Sequence, residues 1–243
     1  MNRSSGEVLE PPFHREEQRI RSAYATRTGD RCYAESLAGR FLMQERERHL
    51  LGLLDRHNLM PLAGKRILEV GCGTGKWLRD LIAWGADPET VFGVELLQAS
   101  AARARRLCPQ AVNIQCGNAA ELRFQSASFD IVLQATVFTS VLDEGMKQAM
   151  AAEMLRVVRP GGVIIWYDFF MRNPRNPYVR PVTRSDIQRL FPGCSLDLRR
   201  MTLAPPLARV LAPHSWGLCS ILSRVPLLCT HYLGAIRSPA NPQ

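Results

Sequence analysis

The chain has 243 residues, enough for one large domain or two small ones, and it can bury a full core without disulfide staples. At 46% apolar and 22% charged it is not a disordered chain, a collagen-like repeat or a coiled coil. The formal charge of +9 is almost all arginine, since only Lys65, Lys76 and Lys147 are lysine; the arginines are scattered, which reads as compositional habit or as affinity for an anionic partner.

Met1 to Pro12 has few periodic apolar residues, a Pro-Pro and no apolar run of a secretory signal, so 1–13 is expected to be a flexible N-terminus. His14 to Asn58 reads as helical: Phe41, Leu42, His49, Leu50, Leu53 and Leu54 recur at close to 3.6 residues. Pro61 and Gly64 break it, which bounds an N-terminal helical cap at 14–60.

From Arg66 short apolar runs alternate with amphipathic stretches. The expected strands are Ile67–Val70, Val91–Val94, Ala111–Cys116, Phe129–Gln134 and Val163–Tyr167. The expected helices are Lys76–Trp84, Gln98–Leu107 and Asp143–Val158, the last stopped by a turn at Arg159-Pro160-Gly161-Gly162. Such alternation implies βαβ units and a parallel sheet, here a core over 61–170. Beyond it, 171–243 completes the sheet. Thr183–Phe191 is a short helix capped by Thr183 or Ser185, and Ser195–Thr202 and Thr230–Ile236 are strands. Ala204–Arg224 is an apolar insert broken by Pro205, Pro206 and Pro213. Its charge-free stretch Val210–Ser223 is shorter than the ~20 residues of a membrane span, and could lie on a membrane surface instead.

Seven cysteines form no CxxC pair and no Cys/His cluster of zinc spacing, so reduced, mostly buried thiols in a cytoplasmic protein are expected, and no metal. His49 and His57 sit eight apart on one helix without a third ligand.

The informative segment is Glu69-Val70-Gly71-Cys72-Gly73-Thr74-Gly75-Lys76: an acid at a strand end, three glycines at alternate positions, then a helix. Glycines admit positive φ and let a ligand approach the backbone, and the helix start offers free N–H groups to an anion. A dinucleotide fingerprint from Gly71 would need glycine where Lys76 stands. A phosphate-binding loop ending at Gly75-Lys76 would need glycine at Val70 and Ser or Thr at Trp77.

The pattern that fits at every position, E-x-G-x-G-x-G, resembles the first motif of class I S-adenosylmethionine-dependent methyltransferases. The likeness runs over about Leu62–Tyr167 and is nearest the ubiquinone/menaquinone, type-11 group. It implies a Rossmann-like α/β fold: a seven-stranded, mostly parallel sheet with helices on both faces and an antiparallel last strand. It implies a cofactor site of Glu69, Gly71, Cys72, Gly73 and Gly75, with Glu95 and Leu96 at the second strand end and Asn118 and Ala119 at the third. Glu95 would take the two ribose hydroxyls. Asn118 stands where the family usually has Asp, and its amide oxygen can still accept from the adenine amine. Gln134, Ala135, Thr136 and Phe138 would line the methionine and methyl end. S-adenosylmethionine is the implied cofactor, with S-adenosylhomocysteine as product.

Nucleic-acid acceptors fit poorly. The position after the fourth strand reads Leu133-Gln134-Ala135-Thr136, without the Pro-Pro of amino-methylating enzymes, and Cys108-Pro109 reverses the order of the Pro-Cys nucleophile motif. A small-molecule acceptor is expected, apolar or lipid-linked, at a site shared by the helical cap, the insert and Asp168, with Tyr33 and Trp216 on the substrate side. Methyl transfer mainly requires alignment; if a base is needed, Asp168, His214, Tyr24 or Tyr33 could supply it. Three alternatives stay open: a macromolecule-directed methyltransferase, a non-catalytic cofactor-binding domain, and an aminopropyl transferase. The last is disfavoured because Gln134–Val141 lacks acids.

Overall fold

The structure, a computed structural model, describes residues 12–25, 35–173 and 176–238. The expectation of a flexible 1–13 falls almost wholly outside them, as does Tyr33. The elements in chain order are α1 (His14–Ala25), α2 (Leu37–Arg56), β1 (Ile67–Val70), α3 (Lys76–Ala83), β2 (Val91–Glu95), α4 (Gln98–Leu107), β3 (Asn113–Cys116) and β4 (Phe129–Ala135). There follow α5 (Glu144–Val157), β5 (Val158–Phe169), α6 (Arg184–Leu190), β6 (Ser195–Leu203), α7 (Pro205–Leu211), α8 (Trp216–Leu222) and β7 (Cys229–Arg237).

The strands form one seven-stranded sheet in the order β3-β2-β1-β4-β5-β7-β6. All pairings from β3 to β5 are parallel, and β7 runs antiparallel to both of its neighbours. This is the Rossmann-like arrangement that the motif implies. Alternate strand residues feed two cores. Ile67, Ile131, Leu133 and Ile165 pack under α2, α3 and α4. Leu68, Val132, Ile164 and Trp166 pack under α1, α5 and α6. Chain order reverses between β1 and β4, and the crevice outside the carboxyl ends of strands at such a switch point is where open α/β sheets bind ligands.

Two local expectations change. Val158 to Phe169 runs as one strand rather than a turn followed by a strand. Phe129 pairs with Val158 and Ile131 with Val163, so Arg159–Gly162 is an excursion absorbed as a register shift, with Gly161 at φ +76°. The insert is a helical hairpin, α7 and α8, stacked on α2 through Phe41, Leu42, Ala208, Ala212 and Cys219. Thr183 caps α6 through a capping box with Asp186.

Candidate active site

A cavity of about 330 Å³ opens at the carboxyl ends of β1, β2, β3 and β4. Its floor is the glycine turn after β1. Gly71, Gly73 and Gly75 all take positive φ. Two of the three are also demanded by packing: a side chain at Gly71 would collide with Val137, and a Cβ at Gly75 would sit 2.6 Å from Cys108 Sγ. Gly73 has open space where its Cβ would be and lines the cavity; Gly75 does not line it.

Glu95, at the end of β2, is buried and points back at this turn. Its Oε2 accepts from Gly73 N at 2.9 Å and its Oε1 from Leu97 N at 2.8 Å. Burial raises its pKa, and these two bonds oppose the rise. Each oxygen retains a lone pair for a further donor. Glu69 is more deeply buried. Among the described residues its Oε2 has no hydrogen-bond partner, and burial pushes its carboxyl well above the ordinary range, with the Arg46 guanidinium pulling the other way. Both acids and Arg46 line the one cavity. Arg46 comes from α2 and lies over the Trp77 ring at 4.7 Å.

At the end of β3, Asn118 is pinned rather than free to turn. Its Oδ1 accepts from Ala120 N at 2.8 Å and its Nδ2 donates to Glu17 of α1 at 2.7 Å. Helix α1 closes this side of the cavity with Ile20 and Tyr24. It is tied to the loop after β4: Glu16 accepts from Leu142 N and Asp143 N, Arg19 donates to the Ser140 carbonyl, and Tyr24 Oη lies 3.1 Å from Ser140 Oγ. Thr136, which lines the cavity, sits at φ +57°, held by its N–H donating to the Tyr167 carbonyl at 2.7 Å.

The structure thus brings Glu69, Gly71, Cys72, Gly73, Glu95, Leu96, Asn118, Ala119 and Thr136 to one cavity. Gln134 and Phe138 do not line it. Gln134 is fully buried, and its Oε1 accepts from Val137 N at 3.2 Å. Phe138 packs on Trp166 and Phe191. Asp168 is also outside the lining. Its Oδ1 accepts from Thr139 Oγ1 at 2.7 Å and from Phe169 N, and its Oδ2 from Thr139 N. Burial outweighs these bonds and pushes its pKa up to about 7. His214 is exposed in the turn between α7 and α8, and Trp216 packs edge-on to Phe41, with ring centroids 5.9 Å apart; neither touches the cavity, because the insert stacks on α2 beside β6. Sequence reasoning missed Arg46, Trp77, Ile20, Met146 and Met150 as lining residues. Arg46 sits in the charged run Glu45-Arg46-Glu47-Arg48, and nothing local distinguishes it from its neighbours.

Residues 67–162 match a family described as a methyltransferase domain. The chain is 39% identical over 103 residues to a probable S-adenosylmethionine-dependent methyltransferase of Mycolicibacterium smegmatis, covering 42% of this chain and 37% of that protein. It is 30% identical over 160 residues to the demethylmenaquinone methyltransferase of a Roseiflexus species, covering 63% and 64%. The chain therefore spans less than two thirds of the length of these relatives. Another relative is a tRNA N(3)-cytidine methyltransferase of Gallus gallus, 29% identical over 115 residues, 44% of this chain and 31% of that protein. Among solved structures, the [4+2]-cyclase SpnF superposes with a TM-score of 0.59 at 20% identity, over 82% of this chain and 83% of that one, a likeness of fold.

Proposed function

Because residues 67–162 belong to the class I S-adenosylmethionine-dependent methyltransferases, we propose that the cavity holds S-adenosylmethionine and that the chain methylates an O, N or C atom of a small, apolar acceptor. The observation that carries this reading is the set of charges on one cavity wall. Glu69 presents a buried carboxyl oxygen without a partner among the described residues, beside the Arg46 cation, and Glu95 stands at the end of the next strand. A buried carboxyl oxygen that lacks a hydrogen-bond donor calls for a cationic or donor ligand. An amino-acid ammonium would meet Glu69, its carboxylate Arg46 and the turn N–H groups, and a ribose diol Glu95. Leu96, Asn118 and Ala119 would hold the base.

Bound there, the cofactor supplies an activated sulfonium methyl group. The protein then has to align the acceptor and exclude water. Ile20, Val141, Met146 and Met150 give the cavity an apolar wall, and Tyr24, Thr136 and Ser140 place hydroxyls on it that can orient an acceptor. Asp168 is read as a positioning residue: its carboxyl gathers both the hydroxyl and the N–H of Thr139, directly before Ser140 and Val141 on the cavity wall. The demethylmenaquinone relative favours a quinol-like acceptor. Of the base candidates read from the sequence, only Tyr24 lines the cavity among the described residues, which favours a second reading, in which the cofactor binds without methyl transfer.

Calorimetry separates these readings. S-adenosylmethionine is expected to bind in preference to NADH. Glu95→Ala should weaken it by ~30–150-fold, the worth of about 2–3 kcal/mol for two charge-assisted bonds. Release of S-adenosylhomocysteine with quinol, amine or carboxylate acceptors marks transfer; binding without release supports the second reading. Preference for NADH, or unchanged affinity in Glu95→Ala, overturns the cofactor assignment.

A further inference from the structure

The insert carries apolar side chains on its outer face as well as on the face that meets the fold. In the hairpin of α7 and α8, Ala208, Ala212 and Cys219 are buried against α2, with Leu211, Trp216 and Leu222 packed half-buried beside them. Leu207 and Val210, three apart on α7, face solvent, as do Leu218 and Ile221, three apart on α8. Val210 is 65% exposed and Ile221 62%, and Leu227, in the short turn that follows, is 81% exposed. A helix packed only for the stability of its domain places its large apolar residues inward. Here two successive helices add a second apolar face that looks outward.

The stretch of chain that carries this patch is itself basic. Leu198 to Gln243 holds five arginines and neither Asp nor Glu. Two of the five, Arg209 and Arg224, are exposed residues of the hairpin and of the turn after it. Exposed apolar side chains flanked by cations match the interface of an anionic bilayer, which takes the first into its acyl boundary and the second among its phosphates. A second copy docking through the same patch would set arginine against arginine. The position also suits access to the cavity. Leu203, the last residue of β6, pairs with Cys229, the first of β7, so the hairpin leaves the sheet at its carboxyl edge, where the cavity opens. Helix α2 touches both, packing Phe41 against Trp216 and placing Arg46 on the cavity wall.

We propose that the α7–α8 hairpin is a docking surface for anionic phospholipid, which sets the cavity's edge of the sheet toward the bilayer. Its use, delivery of a lipid-soluble acceptor, rests on the acceptor class proposed above; the docking itself does not.

The test is co-sedimentation of the full chain with vesicles of phosphatidylcholine, alone or with roughly a third phosphatidylglycerol. Binding to the anionic vesicles is expected, at least tenfold tighter than to the neutral ones. Val210→Glu/Ile221→Glu should lose it by tenfold or more, and Arg209→Gln/Arg224→Gln should lose the preference for anionic lipid. Circular dichroism and calorimetric affinity for S-adenosylmethionine should be unchanged in both variants, so that failure of docking is read separately from failure of the cofactor assignment. Absence of vesicle binding, or equal binding by the Glu variant, overturns the proposal. So does a wild-type dimer in sedimentation equilibrium that the Glu variant splits, which would assign the patch to a second copy.

Discussion

Asp168 shows how surroundings set the chemistry of a residue. Its sequence position, at the end of the fifth strand, suggested an acid exposed to the acceptor. The structure buries it completely and surrounds it with donors from Thr139 and Phe169. Its pKa, pushed up to about 7, lies above the unfolded value, so the folded state keeps a proton that the unfolded chain releases. The stabilising contribution of this group is therefore full below about pH 4 and is lost as pH rises through about 7. Asp168→Asn does not titrate. Urea denaturation between pH 4.5 and 8 should find the variant less stable at the acid end, with the gap closing toward pH 8. A gap independent of pH would refute the assignment. Glu95 differs in kind. It faces the cavity and also accepts the turn N–H of Gly73, so Glu95→Gln should lose both cofactor affinity and order in the glycine turn.

Helix α2 illustrates what single elements contribute. Its sequence reads as an amphipathic surface helix with a charged face. Two adjacent charged residues nevertheless point into the protein. Glu45 is buried and accepts from the N–H groups of Thr202 and Leu203 at the end of β6, where Thr202 takes φ +66°. Arg46 reaches the cavity. Glu45→Ala would strand two buried donors, a cost of about 2–4 kcal/mol. For a chain of this size the melting temperature should then fall by about 5–15 °C, measured by calorimetry. A change near zero would mean that water replaces the carboxylate. None of this is legible along the chain, because a Glu in a charged run looks the same whether it meets water or an orphaned N–H. The cap of α6 and the glycines were legible. Thr183 caps its helix, and the glycine turn falls where its spacing puts it, because those preferences are local.

Across the whole molecule, the cavity joins parts far apart in sequence: α1 and α2 ahead of the sheet, and the loops after β1, β2, β3 and β4. A ligand there holds these parts together, and its binding energy adds to folding stability. At about 100 times its dissociation constant, S-adenosylmethionine should contribute about 2.7 kcal/mol. A rise of about 5–10 °C in melting temperature should follow, measured by scanning fluorimetry. Gly73→Val should abolish the rise, because it fills the open side of the turn and forces a branched residue to positive φ. A full shift in that variant would place the ligand elsewhere.

By itself the sequence determined the alternation of strands and helices, the glycine turn and the acids at the ends of the first two strands; the antiparallel last strand came only through the family resemblance. The alternation, the turn and the acids follow from periodicity, turn chemistry and motif spacing, all of which act over a few residues. Only the tertiary structure decided which charged residues of α2 turn inward, that Asn118 is pinned by Glu17, and that Asp168 lies buried under Thr139. It alone turned the insert into a hairpin with a second apolar face looking out. Each of these depends on a partner supplied by a distant segment, and burial, not residue type, sets whether a carboxylate is a ligand, an anchor or a surface charge.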